Sequence, residues 1–371
     1  MNKLALRPGK RLLVCILLDL ALLAAGLLTF AYFHHVREKD YSAQSVDLPD
    51  ASLSSLTPAP AMSLAAEPMP TPEPDGGETA APDGEETPAP DGDSLFGGDA
   101  FEGGDAVAYE NTYRSDSVAV TVQKCSDGKS TWFVADIYIK DIRSFRTAVA
   151  IDFKAYNDGT RKNVMQVTHL AELTNAIVSI SGDNYVFRNA GLLCIRNGEV
   201  IAAELPIVED LCVMFLDGTV ETYPKYTAKK EFLNDLVARG AYQAWCFGPR
   251  LLTDGKAMTS FNSSVTDRNP RSAFGYYEPG HYCFVLVDGR QRGYSEGMTL
   301  TELSQLFMDL GCVEAYNLDG GDTVAMAFGK DLVNRPEPDV PRSVSDILYI
   351  CEPDAVTALD TDAAAEGSEE P

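Results

Sequence analysis

Two acid-glycine turns, Asp288-Gly289-Arg290 and Asp319-Gly320-Gly321-Asp322, follow apolar runs of strand-like composition. Glycine lets a backbone approach a ligand closely and aim N–H groups at it. A carboxylate beside it can act as acid, base or metal ligand. A single Asp-Gly is ordinarily a turn and nothing more, which is the reading for Asp217-Gly218 and Asp254-Gly255. Two such turns that bracket one well-capped helix carry more weight.

That helix is expected over 300–310. Thr299 and Glu302 have capping-box spacing, Leu300, Leu303, Leu306, Phe307 and Leu310 share one face, and Gly311 supplies the stop. Apolar strands at 281–287 and 313–318 flank it. If they lie parallel and adjacent, their following turns meet on one edge of a sheet, where open sheets place ligand crevices. Further strands are expected at 118–122, 133–139 and 176–180. Hairpins are read at 192–202, turning at Asn197-Gly198, and at 211–223, turning at Asp217-Gly218. Two more helices are read at about 163–174 and 226–239. The expected fold is α+β over 111–352, a mixed sheet with a few packed helices.

The series Asn269-Pro-Arg-Ser-Ala-Phe-Gly275, Val285-Leu-Val-Asp-Gly-Arg-Gln291, Tyr294-Ser-Glu-Gly-Met-Thr-Leu300 and Tyr316-Asn-Leu-Asp-Gly-Gly-Asp-Thr323 resembles the phosphodiester glycosidase family. Phe247–Gly255, Val333-Asn334 and Pro341–Ser345 add similar pieces, and the resemblance spans about 170–350. Two positions depart from the family pattern. Ser181 stands where the family usually has the Asn of an Asn-Gly pair, with Gly182 and Asp183 retained after it. Asp322 adds a carboxylate to a run that is otherwise glycine before Thr323.

The resemblance implies cleavage of a sugar-1-phosphodiester. Such chemistry needs an acid or electrophile for the departing phosphate, a base or nucleophile on the opposite face, and cations or N–H donors for the phosphate charge. It casts Asp288 and Asp319, with Asp183 third, as acid/base or nucleophile. Arg271 and Arg290 are the phosphate ligands, since a guanidinium binds two oxygens at once. Gly320, Gly321, Asp322, Thr323 and Asn334 complete the substrate site. No cofactor is required; a divalent ion on Asp183, Asp319 and Asp322 is the alternative. Blander roles are salt bridges for Arg290 and Arg342, a solvated turn for Glu296, and core or surface positions for His169 and His281.

Composition divides along the chain. Residues 41–110 carry 15 Asp and Glu with no Lys or Arg, and residues 352–371 carry 7 more with none. Removing these 22 from 55 acids leaves 33 against 30 bases, so the rest is nearly neutral and nothing suggests a nucleic-acid partner. From Leu12 to Phe33 the chain is apolar except for Asp19 and Thr29, about the ~20 residues that cross a bilayer. Lys3, Arg7, Lys10 and Arg11 precede it, which puts residues 1–11 in the cytoplasm and the remainder outside. A cleaved signal peptide is the rival reading. Residues 34–110, acidic and rich in Pro and Gly, are expected to be a disordered stalk, and 353–371 a disordered tail.

The expectation is therefore a single-pass membrane protein with an extracellular hydrolase domain acting on a carbohydrate or sugar phosphate of an envelope polysaccharide. The other class is a non-catalytic glycan-binding or polysaccharide-assembly module. Eight cysteines without a C-x-x-C pair argue against zinc, and most read as buried thiols in apolar strands.

Overall fold

A computed structural model describes residues 44–45, 107–109, 111–150, 164–184, 191–225 and 229–355. The chain divides into two compact units, Met1–Ala43 and Gln44–Pro371, and every described residue falls in the second. The expected anchor at 12–33, nearly all of the stalk and most of the C-terminal tail lie outside the described residues. Among the described residues no helix is long and apolar enough to cross a membrane.

The chain runs through β1 (Val118–Ser126), β2 (Thr131–Ile139), β3 (Phe145–Val149), α1 (Val167–Leu173) and β4 (Val178–Ser181). It continues with β5 (Leu193–Arg196), β6 (Glu199–Leu205), β7 (Leu211–Phe215), β8 (Val220–Tyr223), α2 (Lys230–Ala238), β9 (Ala241–Trp245) and β10 (Arg250–Thr253). The last part contains β11 (Arg271–Glu278), β12 (His281–Val287), α3 (Leu300–Asp309), β13 (Glu314–Asn317), β14 (Met326–Phe328) and β15 (Asp346–Ile350).

Three sheets result. The largest is ordered β10-β13-β11-β12-β2-β1 with short strands at both edges, the second is β6-β5-β9-β7-β8 with Gln44–Ser45 beside β6, and the third is β14-β4-β15-β3 with Asp331–Leu332 beside β14. The fold is α+β but sheet-dominated. The expected mixed sheet is not what forms: every ladder between these strands is antiparallel. Hairpins and long crossings build that pattern without a parallel β-α-β unit in one ladder.

Each sheet gives one face to a shared core and the other to a helix. β2 alternates buried and partly exposed residues along its length, with Phe133, Ala135, Ile137 and Ile139 inward. β7 is buried on both sides, Cys212 and Met214 facing the shared core and Val213 and Phe215 facing Leu233 and Leu236 of α2. Leu300, Leu303 and Phe307 of α3 cover Ala273, Cys283, Val285 and Val287, and Leu170 of α1 lies with Ala327, Ile347 and Tyr349. Gly275 makes the α3 approach feasible: a Cβ there would come within 2.7 Å of the Cys312 sulfur and 2.8 Å of the Phe307 ring.

The expected capping box on α3 is present with both of its hydrogen bonds. Asn197 and Gly198 both have positive φ in the β5-β6 turn. In the β7-β8 connection only Gly218 does, within a loop longer than the two residues expected. All seven cysteines among the described residues are free thiols, six of them buried.

Candidate active site

β12 and β13 run parallel to one another but are not neighbours. β11 lies between them, antiparallel to both, with Arg271 opposite Val287 and Ala273 opposite Asn317. Both acid-glycine turns therefore still leave the same edge, and the beginning of β11 is inserted between them. The end of β4 and the start of β15 join this edge from the third sheet, with Ser181 opposite Ile347.

Backbone hydrogen bonds fasten these segments. Leu318 N donates to Ser272 O at 2.8 Å, Asp319 N to Gly182 O at 2.9 Å, and Gly321 N to Pro270 O at 3.0 Å. Ser181 Oγ donates to Asp319 O at 3.2 Å, and Ser272 Oγ to Ser181 O at 2.8 Å. Gly320 is needed for the approach, because a Cβ there would sit 2.7 Å from Pro270 O. The loop 319–322 is thus held between 181–182 on one side and 269–272 on the other.

The three candidate carboxylates occupy different environments. Asp288 is fully buried. Its Oδ1 accepts from Asn334 Nδ2 at 2.8 Å, and its Oδ2 from the Tyr294 hydroxyl at 2.9 Å and Arg335 N at 3.0 Å. Burial raises its pKa, opposed by those three donors. Asn334 in turn accepts from Met326 N at 2.9 Å, so Asp288 anchors the chain after β14 to the chain after β12. The Tyr294 ring has Lys124 at 5.4 Å and Arg335 at 5.0 Å from its centroid. Burial and then the hydrogen bond to Asp288 push the Tyr294 hydroxyl up to about 12.

Asp183 is buried at the end of β4, its Oδ2 accepting from Cys246 N at 2.9 Å and lying 3.5 Å from Arg196. Arg196 donates to Asp346 Oδ2 from both Nε, at 3.0 Å, and Nη2, at 2.8 Å. Arg196 and Asp346 are buried as well, and burial drives the Asp346 carboxyl up to about 7 against the pull of the guanidinium. Gly182 leaves space for this cluster; a Cβ on it would meet Asp346 Oδ1 at 2.5 Å. Neither Arg196 nor Asp346 was among the residues expected from the sequence. The signal was a charged residue at the end of each of two apolar strands, which reads equally well as a solvated strand end.

Asp319 is the accessible one. Its side chain is 13% exposed and faces Arg342, 3.6 Å away, whose own side chain is 56% exposed. Arg290, with φ of +60°, carries its guanidinium over Gly321, donating to Asp322 from one nitrogen and to Asn269 Oδ1 at 3.1 Å from another. Arg271 is directed elsewhere. It is buried and donates to the carbonyls of Met298 at 3.1 Å, Val265 at 3.0 Å and Asp267, while burial and the nearby Arg290 lower its pKa to about 10. Thr323 Oγ1 donates to Gly320 O at 2.9 Å, closing the loop on itself.

The trio considered for a divalent ion is dispersed among arginines: Asp183 faces Arg196, Asp319 faces Arg342, and Asp322 faces Arg290. Among the described residues no group of three or more His, Cys, Asp and Glu is placed to hold a metal. The two salt bridges considered for Arg290 and Arg342 are both formed. His281 stacks between Tyr138 and Tyr277, at 4.0 Å from each, and contacts Asp136 at 2.8 Å, away from the carboxylate loops.

Residues 173–351 match the phosphodiester glycosidase family. The SPbeta prophage-derived uncharacterized protein YomE of Bacillus subtilis (strain 168) is 32% identical over 148 residues, which is 39% of this chain and 22% of that protein. The match therefore spans about a fifth of that relative's length. The fold is similar to that of the zebrafish N-acetylglucosamine-1-phosphodiester alpha-N-acetylglucosaminidase catalytic domain, auto-inhibited by its pro-peptide. The TM-score is 0.51 at 17% identity, covering 67% of this chain and 88% of that one.

Proposed function

We propose that this protein is a hydrolase that cleaves the glycosidic C–O bond of a sugar-1-phosphodiester, a reading supported by the match of residues 173–351 to the phosphodiester glycosidase family. The observation that carries the reading is the convergence, on one sheet edge, of the accessible carboxylate Asp319 with the exposed guanidinium groups of Arg290 and Arg342. The net reaction adds water across the bond. Hydroxide equivalent goes to the anomeric carbon, the bridging oxygen departs with phosphorus, and the remaining proton goes to the phosphate or to solvent.

In this assignment Asp319 is the catalytic acid/base or nucleophile, and Arg290 and Arg342 receive the phosphate. Asp288 and Asn334 are positioning residues, because their polar atoms are already engaged with each other and with the backbone. Arg271 is a positioning residue too, holding the 265–267 and 298 segments that frame Asn269. Asp183 is a positioning residue as well, its Oδ2 accepting from Cys246 N and facing Arg196 next to the Gly182 carbonyl that receives Asp319 N–H.

We place the substrate in an envelope or extracellular polysaccharide. The apolar segment 12–33 and the acidic spacer 34–110 suit a single-pass anchor, N-terminus inside, that displays the domain outside the cell. A second reading, a glycan-binding or polysaccharide-assembly module without catalysis, is favoured by one observation: Arg290 and Arg342 are already paired with carboxylates of the 319–322 loop.

The test is release of free sugar from a panel of sugar-1-phosphodiesters by the purified full-length chain. Asp319→Asn is expected to lower kcat by about 10²-fold or more, the range for loss of a positioned proton-transfer group, with its melting transition retained. Undiminished turnover by a folded Asp319→Asn variant would remove Asp319 from the mechanism. Absence of sugar release across the panel, with saturable glycan binding, would favour the second reading.

A further inference from the structure

Asp322 stands in the loop where the phosphodiester glycosidase resemblance leads one to expect glycine, and its carboxylate is fixed on the exposed guanidinium of Arg290. The loop does not depend on that side chain for its shape. Gly321 N donates to Pro270 O, Asp319 N donates to Gly182 O, and the backbone oxygen of Asp322 accepts from Arg342 N at 2.7 Å. The ion pair itself is about half exposed on both sides, where such pairs contribute little to stability. Its effect is on Arg290, whose positive charge is partly cancelled before a substrate arrives.

Resting on the hydrolase reading above, we propose that Asp322 is a specificity residue that admits the singly charged phosphodiester and repels the doubly charged phosphomonoester. The chemistry makes the distinction useful. A phosphodiester carries one negative charge. Cleavage of the C–O bond leaves the bridging oxygen on phosphorus as a phosphomonoester, whose second pKa is about 6, so that it carries close to two negative charges at neutral pH. Against Arg290 alone, the product would bind more tightly than the substrate. With Asp322 beside Arg290, the added charge meets a carboxylate at the moment it forms. The penalty for one further unit charge near a protein surface is roughly tenfold in affinity, and it acts on product rather than substrate.

Hydrolysis of one sugar-1-phosphodiester by the full-length chain, inhibited by the phosphomonoester it generates and separately by inorganic phosphate, tests this. The informative quantity is the ratio of the inhibitor's Ki to the substrate's KM. A change in loop structure alone would move both constants together. In Asp322→Asn the ratio is expected to fall about tenfold for both inhibitors, and calorimetry is expected to show correspondingly tighter inorganic phosphate binding. Asp322→Glu should keep the ratio of the unaltered protein. An unchanged ratio in Asp322→Asn with turnover intact would overturn this proposal while leaving the hydrolase standing. Absence of turnover in all three proteins would overturn both.

Discussion

Asp288 and Asp319 look interchangeable in a sequence, each opening an acid-glycine turn at the end of an apolar strand. Their surroundings separate them. Asp288 accepts three hydrogen bonds with no exposed surface. In Asp288→Asn one acceptor oxygen becomes an NH₂ group, which would face a donor from Tyr294 and Arg335 or from Asn334. A buried donor left without an acceptor costs about 1–3 kcal/mol, so Asp288→Asn is expected to lower unfolding stability by about 2 kcal/mol in urea denaturation. Asp319→Asn, at a side chain 13% exposed that faces an exposed arginine, should shift stability by about 1 kcal/mol or less. Equal destabilisation by the two substitutions would show that Asp319 is as structural as Asp288. The distinction was not legible in the sequence. Residue type and turn position were visible, but the partners of Asp288 come from 294, 334 and 335, and only the folded chain brings 46 residues of separation to hydrogen-bonding distance.

At the scale of elements, the features written locally could be read and those written between distant segments could not. The α3 capping box needs only residues three apart, and the strand at 281–287 needs only its own apolar run. Sheet order has no such local code, which is why the insertion of β11 between β12 and β13 was missed. Arg196 was hidden for a related reason: it needs Asp346, 150 residues away, to make its burial tolerable. That cluster joins β4, β5 and β15, and it sets a pH dependence. Burial pushes the Asp346 carboxyl in the folded chain up to about 7, against the pull of Arg196, from about 3.9 when unfolded. Between these values the folded state holds the extra proton, so its contribution to stability is fully present below about pH 4 and is lost as pH rises through 7. Denaturation midpoints measured between pH 4.5 and 8 should therefore decline from this source in the unaltered protein. In Asp346→Asn, which carries a neutral side chain of the same shape throughout, the decline should flatten. Parallel pH profiles for the two proteins would remove Asp346 as the titrating group.

At the largest scale, the described residues are organised around a core to which all three sheets contribute, and its centre is aromatic. Phe145 of β3, fully buried, lies 6.2 Å from the Trp245 ring of β9, 6.1 Å from Phe274 of β11, 5.4 Å from Tyr282 and 5.6 Å from Phe284 of β12. One side chain of the third sheet thus packs against the other two, and the edge that carries the proposed site depends on the register between two of the sheets through the Asp319–Gly182 and Ser272–Ser181 hydrogen bonds. Phe145→Ala would remove the ring from a site whose walls belong to three elements that cannot all move inward together. The expected cost is about 3–5 kcal/mol. Because the vacated space is shared, the loss should fall on the unfolding of all three sheets at once. Tryptophan fluorescence, which reports Trp245 in the central core and Trp132 on the α3 side of the largest sheet, should move together with far-ultraviolet circular dichroism to a single lower midpoint. If the sheets were separately stable, the two probes would part company in Phe145→Ala. The loops at the shared edge would then have to keep their arrangement without support from a common core, and the proposed site would lose its rigid base.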